Sequence, residues 1–186
     1  MLELIVSNDR PAVSRLPALA KPVAVAYPSR YQIVPAEVPH LRALEADMRE
    51  ADRSEIAGLG VTVRTALWKA YRNSPICRTA IIDGQVAAMW GVCVGLRGGI
   101  SLLGREGVPW LHTTAAVEKL PVSFVKAGKA ELAAMVALYP RLESFVAAEY
   151  VAAIRFLRIL GFEIDPAMPV GAHGEMYHRF HLGFRS

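Results

Sequence analysis

Side chains able to move a proton or attack a carbonyl are few and scattered in this chain of 186 residues. His112, Glu118 and Glu149 are of types that exchange protons, and Tyr150 follows Glu149 directly. Glu149 closes an apolar, strand-like run and stands beside the start of the next helix, while His112 follows Trp110-Leu111 on another such run. No residue at a fixed spacing orients any of them. Ser101, Ser123 and Ser144 lack a Gly-x-Ser-x-Gly turn that would expose a nucleophile. Cys77 and Cys93 lie on two separate apolar runs and read as buried, reduced thiols, neither a disulfide framework nor a metal pair. His173, His178 and His181 have no acidic residues at ligand spacing, so no metal site is expected.

The elements that must position these residues follow from apolar periodicity. Tyr31 to Val34 reads as a strand, and Glu37 opens a helix carrying Leu41, Leu44 and Met48. A second helix is expected from about Asp52 to Leu59, capped by Ser54 or Asp52, and a third carries Val63, Leu67, Ala70 and Tyr71 up to Pro75. ICRTAIID and QVAAMWGVCVG flank Asp83-Gly84, a two-residue turn signal that makes this the clearest hairpin, with both strands apolar enough to be central. Five glycines between Gly95 and Gly107 suggest a mobile loop or a loose strand end. VPWLHTTAAV reads as a strand, and Pro121 to Tyr139 as a helix with Phe124, Leu132, Met135 and Val136 along one stripe. Arg141 to Ala148, Val151 to Leu160 and Phe162 to Asp165 then give strand, helix, strand, with Gly161 at the left-handed stop of the helix. MYHRFHLGF supplies a last strand.

Composition bounds the architecture. With 53% hydrophobic residues the chain can bury one core, and its length argues against two ordinary domains. Six of its twelve prolines fall in the first 39 residues, so residues 1–29 read as an extended arm and 30–186 as the folded domain. LELIV at the start either adds a strand to a sheet edge or belongs to a flexible tail. No apolar run reaches about 18 residues, and Met1 to Arg10 lacks a basic leader region, so neither a membrane span nor a secretory signal is expected and the protein should be made in a cytoplasm. The formal charge of +4 comes from scattered basic residues with no aromatic interleaving; it reads as a solvated surface, not a specific nucleic-acid motif.

The order of elements resembles the GNAT acyltransferase fold: an α/β (α+β) domain with a mixed, mostly antiparallel sheet and helices on both faces, here with an N-terminal arm. AAIRFLRILGFEID is similar to that family's closing helix. Within the superfamily, MREADRSEI (48–56), DGQVAAMWGV (83–92), GVPWL (107–111), YPRLESFV (139–146) and IRFLRILGF (154–162) together resemble GNAT-like internal virion or virion-associated proteins of short-tailed bacteriophages. The resemblance covers roughly residues 31–182.

What it implies can be set out residue by residue. An acetyl-CoA enzyme of this fold has a splayed strand that pairs with the pantetheine, followed by a loop whose amides cradle the pyrophosphate. In that region the chain offers TTAAVEKLPVSFVKAGKAEL, which breaks the usual Arg/Gln-x-x-Gly-x-Gly/Ala pattern. Ala115, Val117, Lys126, Gly128 and Lys129 are the residues left to hold a cofactor. Leu157 stands where an acidic Tyr is usual, and Tyr150 replaces an Asn at the helix start. Glu149, Glu118 and His112 are the candidates for a general base, with Glu149 and Tyr150 as the catalytic candidates. Two functions follow. The first is a virion-associated structural or binding protein with a degenerate acetyl-CoA site, no cofactor, and other virion proteins or a second copy of itself as partners, docked through the arm. The second is an active N-acetyltransferase using acetyl-CoA on a host protein or small amine by direct transfer.

Overall fold

A computed structural model of the chain describes residues 28–94 and 106–183. All but the end of the expected arm, and most of the glycine-rich stretch, lie outside the described residues. The elements are β1 (Tyr31–Pro35), α1 (Val38–Asp47), α2 (Glu50–Gly58), α3 (Val63–Asn73), β2 (Ile76–Ile82), β3 (Gln85–Val94), β4 (Glu106–Thr113), a 3-10 turn (Ala115–Lys119), α4 (Pro121–Leu138), β5 (Arg141–Ala147), α5 (Val151–Leu160), β6 (Glu163–Pro169) and β7 (Met176–Leu182).

The strands form one seven-stranded sheet in the order β1-β2-β3-β4-β5-β7-β6. Every neighbouring pair is antiparallel except β4 and β5, which are parallel. Asp83 (φ 52°) and Gly84 (φ 75°) make the expected hairpin turn, since two positive φ angles match the twist of the flanking strands. β3 is buried from Ala87 through Val92, as a strand covered on both faces must be. One layer packs Leu41, Leu44, Met48, Ile56 and Leu67 of α1 to α3 against Met89. The other places α4 and α5 over Trp90, Leu142, Val146 and Phe180.

Three local expectations are corrected. The strand expected over VPWLHTTAAV ends at Thr113, and Ala115–Lys119 forms a 3-10 turn with Thr114 as its side-chain cap. The second helix begins at Glu50 with Arg49 at its N-cap and no side-chain cap, so neither Asp52 nor Ser54 caps it. Asp52 is instead buried, 2% exposed, beneath the sheet. β6 runs on to Pro169, through Pro166, which an edge strand tolerates because one of its sides has no ladder to break. Among the described residues, no helix is long and apolar enough to cross a membrane.

Candidate functional site

The parallel pair β4 and β5 holds together for only two positions, Glu106 with Arg141 and Gly107 with Leu142. Beyond them β4 stays on β3 as far as Thr113, and β5 stays on β7 as far as Ala147, so the two strands part and the sheet opens. Pro109 supplies a cause. Thr114 N–H donates to Ala87 O on β3 (2.8 Å), so by strand alternation Pro109, Leu111 and Thr113 carry their backbone groups on the β5 side. Pro109 has no N–H to continue the ladder there. The opening therefore presents the Pro109 carbonyl and both backbone groups of Leu111, with no strand across from them. Farther along, Thr113 O accepts from Arg49 N–H (3.0 Å). On the other bank, Ala147 N–H donates to Glu55 Oε1 (2.7 Å).

A buried polar group closes over this opening from α2. Asp52 Oδ2 accepts from Thr113 Oγ1 (2.8 Å) and from the Tyr150 hydroxyl (3.2 Å), and Asp52 Oδ1 lies 3.4 Å from His112 Nδ1. Three elements thus meet at one carboxylate: α2, the end of β4 and the start of α5. Burial and the Asp52 charge push the Tyr150 hydroxyl up to about 12, so it holds its proton for Asp52. Burial also pushes the Glu55 carboxyl above its ordinary range, against the bond from Ala147 N–H. Tyr177, whose hydroxyl donates to Glu55 O (2.7 Å), pins the backbone of the same helix.

The arrangement unites some candidates and separates others. His112 gains an orienting partner in Asp52, 60 residues earlier in the chain, and Tyr150 joins the same carboxylate. Glu149 is exposed in the turn after β5, and Glu118 is exposed on the 3-10 turn, paired with Arg49 at 3.3 Å. Sequence reasoning assigns Asp52 only the role of a helix cap and assigns Glu55 and Thr113 none; the one available signal is the i, i+3 spacing of the two carboxylates on one helix. Cys77 is pushed up to about 12 by burial and by Cys93, so neither geometry nor charge makes it a nucleophile.

The segment after β4 differs from a phosphate-cradling loop. Ala116 N–H donates to Thr114 Oγ1 (3.2 Å), Val117 N–H to Thr114 O (3.3 Å) and Leu120 N–H to Val117 O (3.4 Å). Ala116 and Val117 are buried, and Ala115 is exposed. Lys126 and Lys129 are exposed on α4, whereas Gly128 lies where α4 meets α5: a Cβ there would come within 3.0 Å of the Phe156 ring. Among the described residues, no group of three or more side chains is placed to hold a metal ion.

No protein-family model and no curated protein matches the chain. Solved structures do. A ribosomal-protein-alanine N-acetyltransferase from Brucella melitensis superposes with a TM-score of 0.63 at 16% identity, covering 82% of this chain and 99% of that one. A GCN5-related N-acetyltransferase from Kribbella flavida gives 0.60 at 15% identity, over 85% and 100%. A Salmonella typhimurium protein solved with its cofactor acetyl-CoA gives 0.53 at 14% identity, over 85% and 96%. At these identities the likeness speaks for architecture alone, and that architecture is GNAT-like.

Proposed function

We propose that the protein is an acyl-CoA-dependent N-acyltransferase. The observation that carries this reading is the open β4 edge at Pro109 and Leu111 with an Asp52-oriented His112 beside it. An extended arm containing amides can pair with the Leu111 N–H and C=O as a missing strand would. Bound there, an acyl thioester supplies the activated acyl group, and the chain's own residues do the rest. With Nδ1–H directed at Asp52, His112 keeps Nε2 as an acceptor for the proton of an attacking amine. Asp52, 3.4 Å from Nδ1, holds the ring in that orientation. Transfer is direct: among the described residues no thiol or hydroxyl is activated to carry the acyl group, so the amine nitrogen bonds the acyl carbon as the C–S bond breaks and CoA leaves as its thiolate. Lys126 and Lys129 act as exposed point charges toward the phosphates.

Acetyl transfer to a panel of primary amines, followed by release of free thiol, tests this. His112→Ala should lower the rate by roughly 10²-fold or more, the usual worth of a general base, with acetyl-CoA affinity unchanged. An unchanged rate in that variant removes His112 from the mechanism.

A second reading is favoured by one observation, the internal use of the Ala116, Val117 and Leu120 amides. It is a virion-associated binding protein, made in the host bacterial cytoplasm, whose donor site has weakened and whose arm, residues 1–29, docks on other virion proteins or a second copy. Deleting residues 1–29 should then abolish incorporation into particles while the domain remains folded; full incorporation of the truncated protein contradicts it.

A further inference from the structure

Beneath α4 and α5 the protein contains a half-open apolar pocket of about 90 Å³. Pro109 and Leu111 of β4 form one wall, Gly128 and Leu132 of α4 another, and Leu157 and Leu160 of α5 a third. Phe124 and Phe156, stacked with ring centroids 5.2 Å apart, contribute from the two helices. Among the described lining residues the single charged one, Glu131, is already engaged: Trp90 Nε1 donates to its Oε2 at 3.3 Å, and Arg78 lies 4.0 Å away. Gly128 lets the two helices close over the pocket, since Phe156 and Leu160 stand 3.0 and 3.2 Å from where its Cβ would be.

Pro109 and Leu111 have a double role. Their backbone groups face the open edge of β4, and their side chains help to wall the cavity. A ligand arm lying along that edge therefore has an apolar chamber next to it. A polar or charged terminus would lose its hydration there without finding a free partner, whereas an alkyl chain loses nothing. An apolar cavity of roughly 150 Å³ takes the six carbons of benzene, so this one, at about 90 Å³, has room for three to four.

We infer that the acyl donor of this protein carries a short alkyl chain, of about four carbons counting the carbonyl, in preference to acetyl. This deepens the acyltransferase reading and rests on it. Each methylene buried on binding is worth about a fourfold gain in affinity, so butyryl-CoA should bind about fifteen times more tightly than acetyl-CoA. Octanoyl-CoA should gain nothing further, because the carbons beyond the apolar walls return to solvent at the pocket's open side.

The test is a calorimetric series on the full chain with CoA, acetyl-, propionyl-, butyryl- and octanoyl-CoA. A stepwise gain that ends near butyryl supports the inference. Equal affinity for acetyl- and butyryl-CoA, or continued gain through octanoyl, overturns it while leaving the acyltransferase reading intact. No saturable heat with any of the five removes the acyltransferase reading and the inference with it. Ala127→Leu, placed in the buried wall, supplies a second measurement: it should erase the butyryl advantage and keep acetyl-CoA affinity within threefold. If that variant folds and the advantage survives, the chain lies elsewhere and the inference fails.

Discussion

Replacing Asp52 with Ala tests the polar junction at the sheet opening through stability alone. The carboxylate is 2% exposed and accepts from two hydroxyls, Thr113 at 2.8 Å and Tyr150 at 3.2 Å, beside the His112 ring at 3.4 Å. Alanine leaves those hydroxyls without their acceptor, and each buried unsatisfied donor costs about 1–3 kcal/mol. Removing the carboxylate also relieves its own desolvation, which offsets part of that loss. A net destabilisation of about 3 kcal/mol is expected, a large share of a typical total of about 5–15 kcal/mol. For a chain of this size it should lower Tm by about 6–12 °C. Urea unfolding followed by tryptophan fluorescence gives the change directly. The cycle of Asp52→Ala, Tyr150→Phe and the double variant isolates the 3.2 Å bond, with an expected coupling of about 1 kcal/mol or more. If Asp52→Ala costs less than about 0.5 kcal/mol, the level of an ordinary surface change, the junction does not hold these elements together.

Other perturbations have equally definite outcomes. Gly161 ends α5 at φ 98° with no atom within 4 Å of a built Cβ, so Gly161→Ala meets only backbone strain and should cost about 1–2 kcal/mol in urea unfolding, with Gly161→Asn costing less. Glu55 has a folded-state pKa above its unfolded value of 4.5, so the folded chain binds the extra proton and stability falls as pH rises from about 4.5 through the raised value. Glu55→Gln keeps an acceptor for Ala147 N–H and has no charge to bury. It should flatten that decline and be more stable than the parent at pH 8 but not at pH 4; an identical pH profile for the two proteins contradicts the assignment.

Much of the fold is written locally in the chain. Asp83-Gly84 and Gly161 mark a turn and a helix end through their own backbone preferences, and both stand where such residues should. The two helical layers follow from apolar spacing within each helix. What the sequence hides is what depends on distant partners. His112 lacks an orienting group in its own neighbourhood, and Asp52, in a segment with the composition of a helix start, reads as a cap. Only the folding of α2 across the end of β4 puts the two together. Pro109 reads as one proline in a strand, and its consequence appears when β4 must choose between continuing along β5 and parting from it. The expected phosphate loop was limited for the opposite reason: its missing glycines were legible, but the 3-10 turn that consumes its amides depends on Thr114 donating to Val86 O at 2.8 Å on the neighbouring strand.

The central claim is that the open edge of β4 receives an acyl-CoA arm. Titration of acetyl-CoA into the isotope-labelled protein, followed by backbone amide resonances, tests it most directly. The account predicts saturable shifts centred on the Leu111 and Phe145 amides, on the two facing banks of the opening. Shifts that stay linear to millimolar ligand, or that saturate only on the far side of the sheet near β1, would contradict it.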